Sequence, residues 1–249
     1  MSALVSAFIA GRYQRLLLAA LWGALLSILL GMGYGFIVWQ VGSSIRRDQD
    51  AELGRIAEIR SNAVFALQKL QQDATAPPCS RDFLAQMQRI AFLPDGLNEF
   101  LYAPNSVVEC STSHPTFESP VPLGAPDIEG DGLSSPSLSI DRDLDSIGRP
   151  GATGTIAQLG AFAVAIPPYT RYQNDANWLK KELVAVGPHG RAWNVAGDRG
   201  LYQRLSTQAH SLGNRLTTVE STRCDDERLY CVASKADLLA WAHDWTTIL

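Results

Sequence analysis

The chain has 249 residues, 46% of them hydrophobic, and a net charge of −4. That is room for one membrane span and one domain of roughly 170–200 residues. The first fifteen residues carry only Arg12 and Arg15, so the rest holds 19 basic against 25 acidic residues, a net −6. A domain this acidic, with no Lys/Arg-rich run and no interleaving of aromatic and basic residues, excludes nucleic acid as a partner.

No charged residue falls between Arg15 and Arg46, and Leu16–Trp39 is apolar throughout. At ~1.5 Å rise per residue its length is roughly 36 Å, enough to cross a ~30 Å hydrocarbon core with some tilt. A secretory signal has an apolar region of only ~7–15 residues and a small-x-small cleavage site. This run is longer, and Trp39-Gln40-Val41-Gly42-Ser43 is a poor cleavage site, so the segment reads as an uncleaved anchor. Tyr34 and Trp39 suit the interfacial belt. Gly31 and Gly35 form a Gly-x-x-x-Gly through which two spans can approach. The expected layout is a cytoplasmic tail over 1–15, a transmembrane helix over 16–40, a stalk helix over 41–75 and an extracytoplasmic domain over 76–245. Flanking charge does not settle the orientation: Arg12 and Arg15 precede the span, and Arg46, Arg47, Arg55 and Arg60 follow it. Long domains translocate largely regardless of such charges. All four cysteines follow the span, and cysteine usage points to an oxidising face.

From Ile45 to about Gln72 a heptad seam runs through Ile56, Ala63 and Leu70, with Ile45, Glu52, Ile59 and Ala66 three residues after the preceding position. Two readings are open: a helix packed on its own domain, or a parallel dimer stalk. Ala76-Pro77-Pro78 breaks the helix. Ser80 is an N-cap for a second helix over about Arg81–Phe92, with Asp82 in its first turn and Phe83, Met87, Ile90 and Ala91 on one face. Pro94-Asp95-Gly96 ends it. Glu99–Tyr102 and Ser106–Cys110 read as strands. Leu123–Gly154, dense in Gly, Pro, Ser and Asp, reads as a long surface loop or a partly mobile insertion. Gly160–Ile166 is a buried strand. Leu183–Val186 and Ala192–Val195 form a hairpin around Pro188-His189-Gly190. Leu201–Ser211 reads as a short helix, Arg228–Ser234 as a strand and Ala236–Trp245 as an amphipathic helix. The fold class is therefore α+β, with a small antiparallel sheet.

Chemistry concentrates on the cysteines, whose four thiols allow three pairings. Cys79 lies just before a helix N-cap, where exposed amides and the positive dipole end favour a thiolate. A bridge from Cys79 to Cys110 closes a loop of about 32 residues, worth roughly 3.7 kcal/mol in the chain-entropy model. That is comparable with the energy of a conformational switch, yet spacing alone favours a static structural disulfide. Cys224 and Cys231 are close enough to clip a turn at Asp225-Asp226, the alternative being two free thiols. No Cys-x-x-Cys is present, which disfavours a thioredoxin-like enzyme. Asp127-Ile128-Glu129-Gly130-Asp131-Gly132 begins like a calcium loop, but its twelfth position, a Glu in true loops, is Leu138. Asp141, Asp143 and Asp145 repeat the spacing without the glycine. Both sets read as solvated acids. His114, His189, His210 and His243 have no ligand spacing. There is no Gly-x-Ser-x-Gly, phosphate loop or dinucleotide fingerprint. No metal, cofactor or catalytic residue is expected.

Cys79-Ser80-x-x-Phe83-Leu84-x-x-Met87, followed by a helix and a strand ending in Cys110-Ser111-Thr112, resembles the CSS-motif sensor domain. That domain is the periplasmic part of a group of bacterial cyclic di-GMP phosphodiesterases. The resemblance covers roughly residues 15–245. It implies a periplasmic disulfide between Cys79 and Cys110, made by the disulfide-forming oxidase system, with Ser80, Ser111 and Thr112 as motif positions. It also implies that the oxidised form holds a cytoplasmic EAL phosphodiesterase down and reduction releases it. The motif here reads Cys-Ser-Thr, which keeps a hydroxyl at the third position. Family members continue through a second span into the EAL domain, whereas this sequence stops at Trp245-Thr246-Thr247-Ile248-Leu249, where 246–249 would be the stub of that span. It contains no EAL catalytic set. The resulting expectation is a single-pass inner-membrane redox sensor, able to dimerise through span and stalk. The alternatives are a periplasmic small-molecule sensor whose disulfides are structural, and a remnant of a phosphodiesterase.

Overall fold

The computed structural model describes residues 2–91, 99–132, 134–167, 177–208 and 217–248. The chain divides into two compact units, Met1–Ile45 and Arg46–Leu249. Helix α1 (Ser2–Asp73) begins in the first and ends in the second. In the first unit Leu17, Leu21, Trp22, Leu26, Phe36 and Trp39 are exposed. Among the described residues α1 is one helix long and apolar enough to cross a membrane, as a single-pass protein requires.

In the second unit α1 ends where the two prolines forbid continuation. The Gln86 side chain accepts hydrogen bonds from the Thr75 and Ala76 amides at 3.1 and 3.2 Å, fixing the turn into α2 (Arg81–Ala91). The turn after α2, at Pro94-Asp95-Gly96, lies outside the described residues, as does Phe92.

The strands are β1 (Glu99–Tyr102), β2 (Val107–Val108), β3 (Cys110–Ser111), β4 (Val121–Pro122), β5 (Ser137–Asp143), β6 (Thr153–Leu159), β7 (Phe162–Ile166), β8 (Leu179–Val186), β9 (Ala192–Gly197), β10 (Thr218–Cys224) and β11 (Tyr230–Asp237). Helix α3 (Leu201–Gln208) separates β9 from β10, and α4 (Leu238–Ile248) follows β11. The architecture is α+β, but the expected single small sheet is two sheets and a ribbon. A five-stranded antiparallel sheet has the order β3-β1-β7-β6-β5, a four-stranded one the order β10-β11-β8-β9, and β2 pairs with β4.

The five-stranded sheet is covered on both faces, which explains its uninterrupted apolar strand β7 (Phe162-Ala163-Val164-Ala165-Ile166). One face packs Phe100, Leu159, Phe162 and Val164 against Ala63, Leu67 and Leu70 of α1 and Phe83, Met87 and Ile90 of α2. Phe83, Tyr102 and Phe162 form an aromatic triangle with centroids 5.1–6.0 Å apart, each worth about 0.5–1.5 kcal/mol beyond area burial. The other face packs Leu101, Ile156, Ala163 and Ala165 against Val108, Leu123, Leu144 and Ile147. Leu123–Gly154 is therefore not a surface loop. It contains β5 and a short 3-10 turn at Asp145–Ile147, and it supplies Leu123, Leu144 and Ile147 to this second core.

Of the two readings of the heptad seam, packing on its own domain is the one the structure shows. The heptad seam of α1 is buried in its own domain. Ala63, Ala66 and Leu70 are at most 1% exposed against the five-stranded sheet, and Ile56 packs on Leu183 and Val232 of the four-stranded sheet. A seam of this kind is an apolar stripe, and a sheet can cover it as well as a second helix can. Polar contacts continue the docking. The fully buried Gln49 amide donates to the Ser221 and Val232 carbonyls and to Ser234 Oγ at 3.0–3.2 Å, and accepts from Ser221 Oγ. Lys181 pairs with Asp48 at 2.7 Å and Arg223 with Asp50 at 2.9 Å.

Candidate functional site

Cys79 sits between the proline break and α2, with a positive φ of 58°. Such a φ is costly for a side-chain-bearing residue. Ser80 caps α2: its Oγ accepts the Phe83 amide at 3.2 Å, and its own amide donates to the Pro77 carbonyl. Asp82 adds a negative charge to the first turn, favourable at the positive end of the helix dipole. The capping and the left-handed Cys79 direct the thiol toward β3.

There Cys79 is bonded to Cys110, with Cα atoms 5.7 Å apart. The two sulfurs differ in environment. Cys79 is half-buried, whereas Cys110 is fully buried in the core between α2 and the sheet. A thiolate arriving from solvent therefore reaches the bond from the Cys79 side.

Beyond Cys110 the motif enters a polar network. Ser111 Oγ accepts the His114 amide at 3.0 Å, and the Ser111 amide donates to the His114 carbonyl at 2.8 Å. Thr112 Oγ1 accepts the Phe100 amide and donates to Glu99 Oε1 at 3.0 Å, so the hydroxyl at the third motif position is used. The Thr112 carbonyl accepts Gln88 Nε2 of α2 at 2.8 Å. Glu99, 1% exposed, also accepts the Ser113 amide and Oγ, and Arg149 at 2.7 Å. Burial pushes this carboxyl up, but hydrogen bonds from Ser113, Ser111 and Arg149 outweigh it and hold the group below its ordinary range. The disulfide, α2 and the buried carboxylate thus form one connected assembly.

The second pair, Cys224 and Cys231, is also bonded, across directly opposed positions of β10 and β11. The Asp225 carboxylate accepts the Tyr230 amide and its own amide donates to the Tyr230 carbonyl, so Asp225 turns the chain inside the clip. This loop carries Glu227, whose carboxylate pairs with Arg60 of α1 at 2.5 Å.

The acids that imitate calcium loops bind their own chain. Asp131 accepts the Ser134 and Ser135 amides, and Asp127 accepts the Ile140 amide and lies 3.5 Å from Arg142. His114 stacks on Phe117 at 5.8 Å. His210 lies outside the described residues, as does the His189 side chain. Glu99 and Arg149 were not singled out in the sequence. Neither was Glu182, whose buried carboxylate accepts Asn194 Nδ2 and the Gly200 and Tyr202 amides at the start of α3. Neither strand marks its acid out locally: Glu99 opens β1, and Glu182 follows Lys180 and Lys181 in β8.

Together these features define a disulfide-linked α+β domain carried on a membrane-type helix. The chain belongs to the CSS-motif family: the model described as "CSS motif domain associated with EAL" matches residues 47–249. No curated protein and no solved structure matches the chain.

Proposed function

We propose that the chain is a membrane-anchored periplasmic redox sensor, allied to the regulatory part of cyclic di-GMP phosphodiesterases, with the Cys79–Cys110 disulfide as its switch. One observation carries this reading. The bond ties Cys79, six residues beyond the end of α1 and two before the start of α2, to an edge strand of the five-stranded sheet, with its more accessible sulfur on the helix side. Breaking it frees the α1–α2 junction from the sheet while the rest of the core stays packed.

The family's association with EAL supports a signalling role in which phosphodiester chemistry belongs to an EAL domain and not to these residues. Two formed disulfides beside a span-length helix support an oxidising compartment, here the periplasmic face of the inner membrane. The disulfide-forming oxidase system is then the natural partner that writes the switch. Dimerisation falls to the span, where a side chain built at Gly31 or Gly35 meets nothing within 4 Å, because the heptad face is occupied by the sheets.

The test expresses the full chain in bacteria with and without the periplasmic disulfide-forming oxidase. Alkylation of free thiols reports the redox state of Cys79, and limited proteolysis reports the α1–α2 junction. Loss of the bond should expose cleavage between Asp73 and Ser80. Identical digestion of bridged and reduced protein would falsify the switch.

A further inference from the structure

A cavity of about 100 Å³ lies inside the second unit, where α1 crosses the space between the two sheets. Ile56, Ile59 and Ala63 of α1, Leu138 of β5, Ala157 of β6 and Leu183 of β8 give it apolar walls. An engineered apolar cavity of about 150 Å³ stays dry and takes benzene, so a space of this size and lining suits a small apolar body.

The cavity's polar groups are unequal. Asn194 and Asp141 also line it, but the Asn194 amide is bonded to Glu182 and the Asp141 carboxylate to Arg199. Two donors remain. The Tyr230 phenol lines the cavity within electrostatic reach of Arg60. Desolvation pushes its pKa up to about 12, partly offset by Arg60, so the phenol keeps its proton and remains a donor. Arg60 lines the same cavity and is held by Glu227, whose own side chain is 64% exposed. A carboxylate so exposed gains little from its ion pair and is easily displaced. Two convergent donors above an apolar pocket match an acceptor-only head on an apolar body.

We propose that this cavity binds a small monocarboxylate with a short branched or aromatic body. Its carboxylate replaces Glu227 on Arg60 and accepts the Tyr230 hydroxyl. The Cys224–Cys231 clip orients the site, since Glu227 and Tyr230 both lie in the loop it closes. Three of the walls and the anchoring arginine belong to α1, so occupancy acts on that helix directly and independently of the Cys79–Cys110 bond.

The test titrates the full chain in lipid nanodiscs with isovalerate and with isovaleramide, a neutral molecule of the same shape, by calorimetry. Isovalerate should bind, and the amide should bind about tenfold more weakly or worse, the scale of a lost charge-assisted hydrogen bond. Arg60→Gln should weaken isovalerate about tenfold and leave the amide nearly unchanged. Tyr230→Phe should weaken isovalerate by a smaller factor. Ile59→Trp, which fills the cavity, should abolish binding of both. If that variant unfolds by circular dichroism, the Arg60→Gln comparison decides. Absence of isovalerate binding, equal affinity for acid and amide, or acid binding untouched by Arg60→Gln would each overturn the proposal.

Discussion

The Arg149 guanidinium, in the turn after β5, reaches across to β1 and bonds the buried Glu99 carboxylate at 2.7 Å. Glu99 also receives hydrogen bonds from Thr112 and Ser113, directly beyond the Cys110-Ser111 strand. The charge of this carboxylate therefore holds together three chain segments that are distant in sequence.

That arrangement makes stability depend on acid. The folded chain holds Glu99 below its ordinary range, so the unfolded chain takes up its proton at higher pH than the native chain does. The stabilisation from Glu99 is complete above the unfolded carboxylate pKa of ~4.3 and is lost as the pH falls through the lower folded value. Glu99→Gln should destabilise the domain by about 1–3 kcal/mol at neutral pH and flatten the acid limb. Denaturant melts at pH 7 and across the acid range check both. An unchanged acid limb in Glu99→Gln would assign the acid sensitivity elsewhere.

Cys79→Ser and Cys110→Ser should behave alike. Each removes the same bond, so the double variant should be no less stable than either single one. The loss should stay within roughly 3.7 kcal/mol, the value for a loop of this length. Non-reduced peptide mapping should find Cys79 joined to Cys110, and Cys224 to Cys231, in protein made in an oxidising compartment. A peptide joining Cys79 to Cys224, or unequal destabilisation by the two serine variants, contradicts the account.

The sequence made the apolar helix, α2 with its Ser80 cap, β1, β7 and the β8–β9 hairpin legible, because each has either a helical period or a compact apolar run, with clear turn residues at its ends. It hid β5 and β6. In β5 the register shifts between Ser139 and Arg142, with Asp141 at a φ of 54°, so the alternation that marks a strand is interrupted. Strand β10 (Thr218-Val219-Glu220-Ser221-Thr222-Arg223-Cys224) is a polar edge strand, with little apolar signal. The α1 seam was visible as a stripe, but a stripe does not reveal what covers it. In the candidate site the cysteines and the N-cap are local features and could be read. Glu99 could not, since Arg149 is brought to it only by the sheet.

Orientation is open to a direct measurement. A periplasm-dependent reporter fused after Leu249 should be active in bacteria, and a cytoplasm-dependent reporter should be silent. The expectation rests on a span-length helix followed by two formed disulfides, which a reducing cytosol does not sustain. The reverse pattern would remove the redox reading, leaving the fold unaffected.

The last prediction concerns Gln49, the polar centre of the α1 contact with the four-stranded sheet. Its side chain is fully buried and makes hydrogen bonds to Ser221, Val232 and Ser234. Gln49→Leu fits the space with little change in shape but leaves the Ser221 and Val232 carbonyls without that donor. Buried acceptors stripped in this way cost about 1–3 kcal/mol each. The loss falls on one contact, so it should appear as local loosening before global unfolding. Hydrogen exchange should therefore quicken in β10, β11 and the Arg46–Ile56 stretch of α1. Amides of β1 and β7, which belong to the other sheet, should keep their protection under native conditions. Ser234→Ala removes a single partner of the same network and should show the same pattern at smaller amplitude. Uniform acceleration across both sheets would mean that the two sheets open as one cooperative body, and that Gln49 does not separately control how α1 is held.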